Sequence, residues 1–170
     1  MLAAVDVSIR VAEERDAEAA CRVIRRSITE CCTKDHRDDQ EILDAWLANK
    51  TPANVCSWFS DPSSYAVVAV AAGDITGVAK MEHSGEVTLC YLVPEARHTG
   101  VGKAPLAKLE AKGKGLGLRE LRLFSTKTAY AFYLRNGFEA CGMPDSSFAI
   151  EGFPMVKALA APSSRGDLCT

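Results

Sequence analysis

One stretch restricts this chain more than any other. An apolar, β-rich run from Val87 to Val93 leads into a turn holding Gly100 and Gly102, and a helical pattern from Leu106 to Lys112 follows. A strand that passes through a glycine turn into a helix leaves backbone N–H groups unpaired at the helix start, where they can meet a phosphate. Two common phosphate loops do not fit. A P-loop needs Gly, four residues, then Gly-Lys-Ser/Thr. Here Arg97 stands at the first glycine's place, and Ala104, with no hydroxyl for magnesium, follows Gly102-Lys103. A dinucleotide turn needs a third small residue three positions after the second glycine. Pro105 stands there, and no acidic residue ends the next strand, Arg119 to Phe124.

What remains is Arg97-x-x-Gly100-x-Gly102 after a strand that ends in Leu92-Val93-Pro94. A second block follows at Ser125 to Phe138, with Ala129 near a helix start, then Phe132-Tyr133, then Gly137-Phe138. Met155-Val156-Lys157 closes an apolar segment. Together these resemble the GNAT superfamily of acyl-CoA-dependent N-acetyltransferases, over roughly Tyr65 to Leu159. The family's loop reads Gln/Arg-x-x-Gly-x-Gly/Ala and binds the coenzyme A pyrophosphate through backbone amides.

The resemblance implies an N-acetyltransferase that moves an acetyl group from acetyl-CoA, as cosubstrate, to a primary amine on a small molecule or peptide. Direct attack in a ternary complex is expected. Arg97, His98, Thr99, Gly100, Val101, Gly102 and Lys103 would hold the pyrophosphate, with glycine at 100 and 102 allowing close backbone approach. Leu92 and Val93 would pair with the pantetheine arm, the Leu92 N–H serving the acyl oxygen, although ladder pairing alone also accounts for a Leu-Val pair. Thr128, Ala129, Phe132 and Tyr133 match positions near the cofactor, with threonines where many relatives carry Asn.

Tyr133 is the candidate general acid, since a phenol of pKa ~10 suits protonation of a thiolate of pKa ~8.5. Core packing of the ring is the competing reading. Glu86 is the candidate base acting through water; Glu82 and His83 compete with it, and a solvated loop charge is the plain alternative. A different class of function stays open: a non-catalytic acyl-CoA-binding or regulatory module on the same fold. A cysteine-nucleophile transferase using Cys90 or Cys31 is disfavoured, because no neighbouring His and acid are placed to activate a thiolate and a buried reduced cysteine is the ordinary reading.

The 170 residues suit one domain with a full core, taken as 1–160, with 161–170 as a flexible tail. Net charge is −2 with both signs interspersed, which excludes a general nucleic-acid or membrane attraction. Seven cysteines and three scattered histidines show no zinc spacing, so no metal is expected. Reduced thiols imply a cytoplasmic protein. The start of the chain does not read as a secretory leader, and no apolar run spans a bilayer.

Val7 to Val11 alternates as a first strand, and Asp16 is placed to cap a helix carrying Ala20, Val23 and Ile24. Asp38 with Glu41 resembles a capping box, and Thr51-Pro52 opens another helix. Trp46 and Trp58 lie on helical stripes that serve either the core or a homodimer contact. Tyr65 to Ala71 and Ile75 to Met81 form a hairpin; Phe138 to Cys141 and Phe148 to Lys157 are two late strands. The expected fold is α+β and GNAT-like: a mixed, mostly antiparallel central sheet of about six to seven strands flanked by helices, splayed at the acyl-CoA site. Substrate choice falls to Thr29 to Ser60 and Cys141 to Phe148, where Asp35, Asp38, Asp39, Asp44 and Asp61 offer either an acidic mouth for a cationic amine or a solvated face.

Overall fold

A computed structural model describes residues 6–146 and 149–160; the expected tail at 161–170 and the start of the expected strand at Phe148 lie outside them. Strands β1 (Val7–Val11), β2 (Ser64–Ala71), β3 (Asp74–Glu82) and β4 (Val87–Leu92) form an antiparallel sheet in that order. Strands β5 (Glu120–Ser125), β6 (Glu139–Ala140) and β7 (Phe153–Ala158) form a second, ordered β5-β7-β6. Helices α1 (Ala17–Arg26), α2 (Thr33–His36), α3 (Gln40–Leu47) and α4 (Pro52–Ser60) precede β2, with a π-helical turn at Ser27–Cys31 after α1. Helix α5 (Lys103–Gly115) links β4 to β5, and α6 (Tyr130–Arg135) links β5 to β6.

The first sheet is buried on both faces, which is why β2 reads as an unbroken apolar run. Ile24, Ile28, Trp46, Val55, Val68, Val78 and Leu89 form one core. Met81, Leu106, Leu109, Leu121, Phe138 and Met155 form the other. Trp46 is buried in the first core and Trp58 packs against it, so the tryptophan stripes serve internal packing. Gly113 is demanded by that packing too: a Cβ there would stand 3.0 Å from Leu159 Cδ1 and 3.2 Å from Leu121 Cδ2.

Local capping follows the sequence with two shifts. Thr51 Oγ1 accepts from the Asn54 N–H at 3.2 Å with Pro52 in the first turn, as expected. The α3 cap is Asp39 rather than Asp38, its carboxylate accepting from the N–H groups of Glu41 and Ile42 at 3.0 and 3.2 Å. Arg37 and Asp38 are both left-handed (φ 54 each), which delays the helix by one residue. Asp16 does not cap α1; it accepts from both Arg10 guanidinium nitrogens at 2.7 and 2.8 Å and from the Glu13 N–H at 2.8 Å.

The two sheets meet through β4 and β5, which run parallel and touch at one end alone. The Arg122 N–H donates to the Gly85 carbonyl at 2.9 Å, and Glu86 and Arg122 form a single parallel bridge. One residue further, β4 carries a bulge: Met81 pairs with Val87 and Lys80 with Leu89, so Thr88 has no partner of its own. A bulge adds twist and bends its strand. From this point β4 leaves β5, and the strands splay.

Candidate active site

The splay opens a cavity of about 960 Å³ that passes between the sheets. Its lining is drawn from the turn after β4, from α6, from the π-helical turn and from the start of α2. In the turn, the amides of His98 to Gly102 donate to no acceptor among the described residues. Gly100 takes φ +84, a region closed to most side chains, and His98 takes φ 61, which histidine tolerates better than bulkier residues. Gly102 is favoured for another reason. Its φ is an ordinary −63, but a Cβ would meet Leu92 Cδ1 at 3.0 Å and Phe132 Cε2 at 3.3 Å. Arg97, His98, Lys103 and Arg135 also line the cavity, and none is ion-paired among the described residues. Free amides on the same cavity as the unpaired cations Arg97, Lys103 and Arg135 fit a diphosphate.

The strand edge fits a thioester arm. The Val93 N–H donates to the Thr76 carbonyl at 2.9 Å, towards β3. Antiparallel ladders alternate, so the Leu92 N–H faces the opposite way, into the splay. Across the gap stands Tyr133, 6% exposed, with Phe132 and Phe138 edge-on to its ring at centroid distances of 5.3 and 5.5 Å. The Cys90 thiol lies near enough to its hydroxyl to act on it electrostatically. Burial, reinforced by Cys90, holds the Tyr133 proton well above the usual phenol range. Burial likewise pushes the Cys90 thiol up to about 11.

The family model described as "Acetyltransferase (GNAT) domain" matches residues 32–159. The chain belongs to this GNAT family. Among solved structures it is similar to the PaiA N-acetyltransferase of Thermoplasma acidophilum, solved with coenzyme A: 23% identity, TM-score 0.79, covering 90% of this chain and 99% of that one. A GCN5-related N-acetyltransferase of Rhodopseudomonas palustris matches at 20% identity and TM-score 0.81, over 92% and 98% of the two chains. The ribosomal-protein-S18-alanine N-acetyltransferase of Escherichia coli matches at 15% identity and TM-score 0.68, over 94% and 98%. At these identities the neighbours establish the GNAT fold. Among curated proteins, none matches the chain. None of the described helices is long and apolar enough to cross a membrane.

Several expected site residues meet at the cavity: Leu92, Arg97, His98, Gly100, Gly102, Lys103, Thr128, Ala129, Phe132 and Tyr133. Others do not line it. Val93 packs on the first core, and its carbonyl accepts from the Ala96 N–H at 3.0 Å, so both its backbone groups are engaged inside the protein. Thr99 and Val101 contribute backbone, the Thr99 hydroxyl donating to the Ala96 carbonyl at 2.5 Å. Glu86 is exposed and lines a second cavity of about 410 Å³ with Arg122, Phe124, Cys141 and Pro154. Phe124 faces both cavities.

Two further features are only partly legible in the sequence. The first is the part of the cavity wall formed by Ser27, Glu30, Cys31, Cys32, Thr33 and Lys34, all but Ser27 within the segment 29–60 expected to govern substrate choice. Burial pushes the Cys32 thiol up to about 12, and with Cys90 also raised, neither is a ready thiolate nucleophile near neutral pH. The second is Asp35. It accepts from the Lys127 N–H at 2.7 Å, the Thr128 N–H at 3.3 Å and the Thr128 hydroxyl at 2.6 Å. The Thr128 hydroxyl is therefore directed at Asp35. With Asp39 capping α3 and Asp61 holding the Ser63 N–H and hydroxyl, the acidic neighbourhood has structural work to do.

Proposed function

We propose that this GNAT protein is an N-acetyltransferase that moves an acetyl group from acetyl-CoA to a primary amine by direct attack, with Tyr133 as general acid. The observation that carries this reading is the buried Tyr133, which lines the cavity together with Cys90 and Leu92 of the open β4 edge. The amides of His98 to Gly102, with Arg97 and Lys103 beside them, would hold the pyrophosphate. The Leu92 N–H would donate to the acyl oxygen as negative charge grows there. The amine nitrogen forms its bond to the carbonyl carbon, the carbon–sulfur bond breaks, and its electron pair stays on sulfur. The Tyr133 O–H then gives that sulfur its proton.

A phenol held well above ~10 would be a poor acid toward a thiolate of pKa ~8.5 in water. The same enclosure raises thiols, as Cys90 at about 11 records, so donor and acceptor move upward together. Proton transfer between matched groups is the efficient case. For the attacking amine, Glu86 lies four residues before Cys90, about 13 Å along an extended strand. Proton removal by Glu86 therefore runs through water, and an amine that attacks already neutral still gives up one N–H proton to that water as the amide forms.

The test is thiol release from acetyl-CoA over a panel of amines, comparing wild type with Tyr133→Phe. Loss of an acid should lower kcat by about 10²–10⁴ while coenzyme A affinity holds. A Tyr133→Phe enzyme with unchanged kcat removes the acid assignment. No turnover by wild type with any amine, despite coenzyme A binding, would favour the binding-module reading instead.

A further inference from the structure

Asp35 is 8% exposed, and no cation pairs with it among the described residues. A buried carboxylate with no counter-ion is costly unless hydrogen bonds satisfy it. Here its donors come from a turn 92 and 93 residues further along the chain. Both carboxylate oxygens are engaged, one by the Lys127 N–H and the other by Thr128. What the carboxylate does is fix a turn.

That turn leads directly to the acid. Thr126 Oγ1 accepts from the Ala129 N–H at 3.1 Å, and the Ala129 carbonyl accepts from the Tyr133 N–H at 3.1 Å. Helix α6 has only 6 residues, too few to hold its own geometry in water. The direction of the Tyr133 side chain thus depends on the turn before it. The other end of the link is α2, whose Thr33 and Lys34 line the same cavity as Tyr133, with Cys31 and Cys32 just before them.

We propose that Asp35 is a positioning residue for Tyr133: a buried strut that sets the start of α6 from α2 and ties the acceptor-side wall to the acid. The inference rests on the acid reading above. Misplacing a catalytic group by about 1 Å can cost 10²-fold in rate. Asp35→Asn, which sets an amide N–H₂ against donors, should lower kcat by about 10–100-fold and leave the KM for acetyl-CoA within about twofold.

The experiment is a double-mutant cycle on kcat with Asp35→Asn and Tyr133→Phe, beside amide hydrogen exchange at Lys127 and Thr128. If Asp35 acts through Tyr133, Asp35→Asn costs nothing further in the Tyr133→Phe background, because residues acting as a unit are strongly non-additive. The two amides should also exchange at least about tenfold faster in Asp35→Asn. Equal losses in both backgrounds, or wild-type kcat in Asp35→Asn, overturn the strut while leaving the acid assignment intact. Full activity in Tyr133→Phe alone overturns the acid assignment and the strut with it. Should Asp35→Asn fail to fold, Thr128→Val removes one bond of the strut and carries the same cycle with a smaller effect.

Discussion

Gly100 and Gly102 fit the same motif but do different physical work, and alanine at each should separate the two. At Gly100 (φ +84) an added Cβ meets nothing within 4 Å, so the whole penalty is backbone strain. Left-handed geometry costs a non-glycine residue about 1–2 kcal/mol. The turn is exposed and without internal amide bonds, so it can escape the strain by relaxing out of the cradle conformation. Binding must then restore that conformation, which weakens coenzyme A by about 5–30-fold. At Gly102 the backbone is unstrained (φ −63), but the Cβ lies 3.0 Å from Leu92 and 3.3 Å from Phe132. Overpacking of that kind costs about 1–3 kcal/mol of stability. Calorimetric titration with coenzyme A and thermal unfolding of both variants read the contrast. Gly100→Ala should lose affinity with little change in Tm, and Gly102→Ala should lose Tm first. Wild-type affinity in Gly100→Ala would refute the claim that this conformation makes the cradle.

Two other expectations concern protons. Arg10 holds the Asp16 carboxyl below the usual carboxylate range, assisted by the Glu13 N–H and opposed by burial. A depressed carboxylate stabilises the fold above its unfolded pKa of ~3.9 and loses that contribution as pH falls through the folded value. Asp16→Asn should therefore cost about 1–3 kcal/mol at pH 7 by urea unfolding, towards the low end because Arg10 is 39% exposed, and almost nothing at pH 2. With the Tyr133 proton held well above 10, kcat/KM for the amine should climb toward the amine's own pKa and show no alkaline decline before pH 10. A fall beginning near pH 8 would argue against Tyr133 as the proton donor.

The chain announces its architecture where the signal is local. The β2–β3 hairpin is legible as Ala72-Gly73 between apolar runs, and both residues take positive φ. Asn136-Gly137 ends α6 with Gly137 at φ 88, and the phosphate turn follows from Gly100 and Gly102. Where a residue's partner is remote, the pattern misleads. Asp16 reads as a helix cap because its neighbour in sequence is α1, but Arg10 of β1 claims it. Asp35 reads as one charge in an acidic run because its donors lie 92 and 93 residues away. The splay was expected from family likeness; its local cause, the unpaired Thr88, depends on register against β3 and carries no mark in the strand's own residues. Glu86 stands just before β4, and no local rule shows that it lines the smaller cavity.

The proposed acetyl transfer requires the free amides of His98 to Gly102 to hold the diphosphate of coenzyme A beside the open edge of β4. Isothermal titration of the wild-type protein with coenzyme A measures this directly. Saturable one-to-one binding with an affinity better than about 1 mM is predicted. Absence of binding at millimolar coenzyme A and acetyl-CoA would contradict it.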